Sequence, residues 1–149
     1  MKTGLRFRAM VAVILAVLLV GGCATPMFGP SITYSYEPRF SFAELKTYRW
    51  TEVRSYWGDP LLEANVRFLA DRVLEAKGFA SKADKADFLV SMRYEGYSYE
   101  SRTLTLNVFR ANNNELVWRG MATGTIKTDA ASGDLKNAVE GILVNFPPK

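Results

Sequence analysis

The sequence predicts an α+β domain of two layers, a largely antiparallel sheet of about five strands with two amphipathic helices on one face. Three observations predict it. Five stretches alternate apolar and polar residues, two others repeat apolar residues at helical spacing, and most strands follow one another through short links. The 149 residues suffice for one domain and not comfortably for two.

Ile32, Tyr34 and Tyr36 alternate with Thr33, Ser35 and Glu37, which predicts a strand with one buried face, ended near Pro38. Residues 40–45 read as a turn, with Phe40 and Phe42 at the edge of the core, and 46–51 as a second short strand. A loop over 52–58 carries Tyr56 and Trp57. Asp59-Pro60 starts a helix, because the carboxylate accepts from free first-turn amides and proline suits the first helical position. Leu62, Val66, Leu69 and Val73 form its apolar stripe, widened by Leu61, Phe68 and Leu74. Arg67, Asp71, Arg72 and Glu75 fall on the side expected to face water. Lys77 suits the last turn, and Gly78 takes the left-handed conformation that ends a helix.

Residues 80–86 read as a polar connection. Phe88, Val90, Met92 and Tyr94 mark a third strand, interrupted over 96–101, and Leu104, Leu106 and Val108 a fourth. Ala111-Asn-Asn-Asn-Glu115 suits a hairpin loop, since asparagine tolerates left-handed geometry. The fifth strand runs over 116–126, where Gly120 and Gly124 share a face with Trp118 and Ile126 and leave room for a bulge or a large neighbour. Ser132 caps a last helix whose stripe is Leu135, Ala138, Val139, Ile142, Leu143 and Phe146, stopped by Pro147 and Pro148.

The N-terminus reads as a processing signal. Lys2, Arg6 and Arg8 precede an unbroken apolar run over 9–20, too short for a comfortable transmembrane helix, which needs about 20 residues. Val20-Gly21-Gly22-Cys23 resembles the bacterial lipobox, with cleavage between Gly22 and Cys23 and the Cys23 thiol taking up diacylglycerol. That resemblance implies a signal peptide at 1–22, a lipidated N-terminus and tether at 23–31, and the folded domain at 32–149. In that class the new amino terminus is acylated too, and several chains, at about 0.8 kcal/mol per buried methylene, hold far better than one. Ala24 in place of aspartate implies, by the sorting rule of enteric-type bacteria, an outer-membrane lipoprotein facing the periplasm. Met27 and Phe28 in the tether suit either the lipid surface or the domain.

FSFAELKTYRW at 40–50, LEAKGF at 74–79, DFLVSMRY at 87–94, TLTLNVFRANNNELVWRGMATGTI at 103–126 and AVEGILVNFPP at 138–148 together resemble DUF4136, a family of bacterial envelope lipoproteins. The match extends over nearly the whole mature chain. It departs at residues 111–114, where the family often has an aspartate-containing turn. The resemblance implies location and fold, and it offers no catalytic residue to carry over.

Composition excludes several chemistries. There is no histidine and one cysteine, which removes the common zinc sites, Ser-His-Asp and Cys-His catalysis, and any intrachain disulfide. No Walker A loop or dinucleotide fingerprint occurs. Gly120-x-x-x-Gly124 sits in a strand pattern rather than a membrane helix. The net charge of +4 leans on Lys2, Arg6 and Arg8; without them 16 basic residues face 15 acidic ones, so no nucleic-acid footprint remains. Asp84 with Asp87 and Glu95 with Glu100 read as solvated turn charges. The expectation is a non-enzymatic module with no catalytic or metal-binding residue and no cofactor beyond the lipid on Cys23. It binds another envelope component, a protein, through an aromatic surface of Trp57, Tyr97 and Tyr99. The alternatives are a carrier or sensor of a small apolar ligand in a pocket between sheet and helices, and a hydrolase using paired carboxylates.

Overall fold

A computed structural model of the chain describes residues 29–51, 59–82, 84–98, 101–129 and 132–148, with the side chains of Tyr97, Ser98 and Ser101 left out. The elements run β1 (Ser31–Tyr36), a 3-10 turn (Phe42–Glu44), β2 (Thr47–Trp50), α1 (Pro60–Ala76), β3 (Ala80–Ser81), β4 (Phe88–Ser98), β5 (Ser101–Arg110), β6 (Leu116–Gly124) and α2 (Asp134–Leu143). The strands form one six-stranded sheet in the order β1-β6-β5-β4-β2-β3. Its β4-β5-β6-β1 part is antiparallel, as expected, but β2 runs parallel to both β3 and β4.

The sixth strand and the parallel pairs are the main departures from the expected five-stranded sheet. Helix α1 carries the chain back to the start of β2, so the segment after it pairs in parallel: the Ala80 N–H donates to the Lys46 carbonyl at 2.9 Å and the Lys82 N–H to the Tyr48 carbonyl at 2.8 Å. Only two residues take part, too few to leave an alternating pattern. The expected break over 96–101 also narrows, because β4 continues to Ser98 through a register shift and β5 begins at Ser101.

Helix α1 begins as its sequence dictates. Asp59 Oδ1 accepts from the Leu61 and Leu62 amides at 3.0 and 3.1 Å. Gly78 ends it at φ +92°, with the Phe79 N–H donating to the Leu74 carbonyl at 3.0 Å. Its buried row is Leu62, Val66, Ala70 and Leu74, with Leu69 and Val73 packed beside it. The stripe is narrower than expected, for Leu61 and Phe68 are 71% and 62% exposed. At the last helix Gly133, not Ser132, holds the cap position at φ +70°. Ser132 still contributes, its hydroxyl accepting from the Asp134 amide at 3.2 Å.

One sheet face makes the core. Tyr48, Phe88, Val90, Met92, Leu104, Leu106, Val108, Trp118 and Ala122 meet both helices, and the whole apolar stripe of α2 is buried there. Phe146, just past α2, joins the parts: its ring centroid lies 5.1 Å from that of Trp118, 5.5 Å from Phe79, 5.6 Å from Phe88 and 6.1 Å from Phe42. Gly120 serves the expected purpose. A Cβ there would overlap the Trp118 indole and the Ile142 γ-methyl, so the missing side chain lets the indole lie flat on its own strand under α2.

Candidate functional site

Among the described residues the other sheet face carries no helix. Across it Ser91, Asn107, Arg119 and Ser35 stand in one register row of β4, β5, β6 and β1. Asn107 donates to the Ser91 hydroxyl at 3.2 Å, and Arg119 Nε donates to Asn107 Oδ1 at 2.8 Å. Thr103 and Thr123 pair at 3.3 Å beside them. Ser91, Asn107 and Arg119 already satisfy one another, which makes this row a self-contained polar strip. Arg119 thus points away from Trp118, as the alternation predicts.

The polar groups nearest the core hold the fold together. Asp71 on α1 was expected on the wet side, yet its Oδ1 accepts from the Tyr48 hydroxyl at 2.7 Å and from Trp50 Nε1 at 2.8 Å. Arg67, another expected surface charge, lies 5.3 Å over the Trp50 ring and pairs with Glu63 at 2.7 Å. Burial, reinforced by the hydrogen bond to Asp71, pushes the Tyr48 phenol far above its ordinary value. The phenol stays a neutral donor, and the carboxylate's oxygen is occupied twice. This tie fastens β2 to α1.

Of the acids paired in the sequence reading, Asp87 and Glu95 have partners of their own, and Glu100 lies outside the described residues. Asp87 Oδ2 accepts from the Lys46 and Thr47 amides at 3.0 and 2.8 Å and from the Thr47 hydroxyl at 2.9 Å. Those backbone bonds hold its carboxyl below the ordinary value. Glu95 pairs with Arg93 at 2.8 Å. Among the described residues no three of the metal-ligating types gather into a site, and no helix is long and apolar enough to cross a membrane.

The feature without an internal explanation is β1. It pairs with β6 on one side, and its other side is a free edge among the described residues. The Glu37 amide donates to the Val117 carbonyl at 2.9 Å, which fixes the parity: Ser31, Thr33 and Ser35 bond toward β6, and Ile32, Tyr34 and Tyr36 aim their N–H and C=O groups outward. Tyr34 and Tyr36 were expected to be buried. They are 50% and 43% exposed: α2 meets β1 at Ile32, which packs against Gly141, and the two tyrosines are left half in solvent. Their rings stack at 6.4 Å, and Tyr36 meets the edge of Phe42 at 6.2 Å. Beside them lies a surface hollow of about 220 Å³, bounded by Ser35, Tyr36, Glu37 and residues 116–119.

Of the residues singled out from sequence, Gly22, Cys23, Trp57 and Tyr99 lie outside the described residues, and Tyr97 is described only as backbone of β4. Tyr94 is half-buried, donating to the Ile126 carbonyl at 3.2 Å and accepting from Arg102 at 2.7 Å. The exposed aromatic pair on β1 escaped sequence reasoning. A signal was present: Ser31–Tyr36 contains no charge and no proline, two of the devices that usually blunt an edge.

A two-layer α+β domain with one covered sheet face and one open edge is therefore the class to which the chain conforms. The family model of DUF4136, a domain of unknown function, matches residues 91–148, from β4 through the segment after α2, and supports the family resemblance read from the sequence. No curated protein matches the chain. Among solved structures, a PDZ domain protein from Parabacteroides distasonis superposes with a TM-score of 0.66 at 10% identity, over 80% of this chain and 36% of that one. The chain thus spans little more than a third of that protein. PelC from Paraburkholderia phytofirmans, crystallised as a dodecamer, gives a TM-score of 0.57 at 17% identity, over 76% of this chain and 94% of that one. At these identities the likeness is one of fold.

Proposed function

We propose that this chain is a lipid-anchored envelope module, held by acyl chains on Cys23 at the periplasmic face of the outer membrane, that works by binding a protein rather than by catalysis. The observation that carries the reading is the free, uncharged β1 edge with Tyr34 and Tyr36 exposed on it. Such an edge supplies backbone hydrogen bonds to an added strand, and the tyrosines supply area at low entropic cost. The anchor would confine this edge to a surface and raise its effective concentration there. PelC, of similar fold, assembles with copies of itself, which agrees with a fold used for association.

The filled interior speaks against the carrier alternative, since Tyr48, Phe88, Trp118 and Phe146 occupy the space between sheet and helices. Asp87 is taken up by the Lys46 and Thr47 donors and Glu95 by Arg93, which speaks against either as half of a paired-carboxylate hydrolase site. The test has two arms. Mass spectrometry of the membrane-extracted protein is expected to find a chain beginning at Cys23 and carrying diacylglycerol, and a chain retaining Met1 refutes the anchor. A photocrosslinker at position 36 is expected to capture one defined partner in the anchored protein, and far less in a Cys23→Ala control or from position 103 on the open face. Equal capture from positions 36 and 103 refutes the edge.

A further inference from the structure

Resting on that reading of the edge, we propose that β1 binds a second copy of this chain, forming a two-fold dimer in which two β1 strands pair antiparallel about Tyr34. The outward N–H and C=O groups belong to Ile32, Tyr34 and Tyr36, so an antiparallel partner must bond to these same-parity residues. The register that uses all three sets Tyr34 opposite Tyr34, Ile32 opposite Tyr36 and Tyr36 opposite Ile32 of the other copy. On the opposite face it sets Thr33 against Ser35. Aromatic with aromatic, aromatic with β-branched and hydroxyl with hydroxyl are the favourable cross-strand pairs, and no like charges meet because the strand has none. Hydrogen-bond parity and side-chain pattern, two independent properties of the strand, thus select one register.

The arrangement also closes. Pro30 and Pro38 bound the strand, so pairing cannot extend beyond it. Pairing consumes β1 in both copies. The edge left at the far side is β3, two residues long and followed by Lys82, Asp84 and Lys85. An isologous contact that uses its own surface up gives a dimer rather than a fibre.

The register makes a sharp test. In the purified full-length chain carrying Cys23→Ala, concentrated to replace the confinement that the anchor gives on the membrane, Tyr34→Cys places identical residues across the two-fold axis as a hydrogen-bonded pair, with Cα atoms about 5.5 Å apart, within disulfide range. Mild oxidation in detergent is expected to give a disulfide dimer at least tenfold faster than Thr33→Cys, whose residue faces Ser35 of the other copy. Sedimentation equilibrium of the unmodified chain is expected to give a dimer, and Tyr34→Lys, which sets two ammonium groups face to face, to weaken it by about tenfold or more. Circular dichroism is expected to be unchanged, since Tyr34 is half in solvent. A monomer at every concentration overturns the proposal, as does equal crosslinking from positions 33 and 34. A monomer that still captures a foreign protein through position 36 sinks the dimer and leaves the binding reading standing; a monomer that captures nothing sinks both.

Discussion

The two edges of this sheet are finished in opposite ways. At one, β3 contributes two residues amid a run of alternating charge and is backed by α1. At the other, β1 contributes six uncharged residues with two half-exposed tyrosines, and the last turn of α2 meets it at Ile32, which packs against Gly141. Both edges carry outward backbone groups, but only the first is too short and too charged to recruit another strand. An edge like β1 is an aggregation hazard unless something uses it. The closed edge is therefore architecture, and the open edge is where function is best sought.

The largest expected effect comes from asking whether the two sides are one cooperative unit. Phe146 touches Trp118 of β6 on the open side and Phe79 and Phe88 on the closed side. Phe146→Ala is expected to cost about 3–5 kcal/mol in a single urea transition. Two separated transitions would break the comparison into independent halves. Gly120→Ala acts on the open side alone. Its methyl meets the Trp118 indole and Ile142, both fully buried, and about 1–3 kcal/mol is expected.

The closed side has its own fastening. Asp71→Ala strands the buried Tyr48 hydroxyl, at an expected cost of about 1–3 kcal/mol, while Asp71→Asn keeps an acceptor and is expected to lose less. Tyr48 also sets an alkaline limit. Its folded pKa is raised above the ordinary 10.0, by burial first and then by Asp71. The associated stability is intact below pH 10 and falls as pH rises beyond it, because the unfolded chain ionises first. Tyr48→Phe is expected to flatten that fall in denaturation curves at pH 9 to 11; an unchanged slope would assign it to other groups.

Legibility in the sequence followed how local the cause was. Asp59, Pro60 and Gly78 act within a turn of themselves, and the limits of α1 were readable from them. The stripe of α2 was readable because every member is buried. What was missed depends on distant neighbours. Asp71 looks like any helix-surface acid until β2 brings Tyr48 and Trp50 against it, and Ala80–Ser81 becomes a strand only because α1 returns the chain beside β2. Tyr34 and Tyr36 alternate as a buried face should, but alternation reports which face a residue is on and not whether a helix covers it. Of the binding surface expected from sequence, Trp57 and Tyr99 lie outside the described residues, so the candidate site now rests on tyrosines first assigned to the core.

The smallest expected effect sharpens the closed side further. Asp87 clamps the starts of β2 and β4 together: its carboxylate accepts from Lys46 and Thr47, and its own amide donates to the Thr47 carbonyl at 2.9 Å. The backbone bonds from Lys46 and Thr47, ahead of the Thr47 hydroxyl and the charge of Lys82, lower its pKa below the ordinary 3.8. A depressed folded pKa means that the stabilisation is fully present above 3.8 and is lost as pH falls through the folded value. The group is exposed, so screening keeps the contribution small, about 1 kcal/mol or less at neutral pH. Asp87→Asn removes the charge and leaves one acceptor oxygen. Its stability deficit is expected to be constant from pH 7 to about 5 and to shrink below pH 4, as the native carboxylate protonates. A deficit unchanged down to pH 2 would mean that the shape of the side chain, and not its charge, joins the two parallel strands.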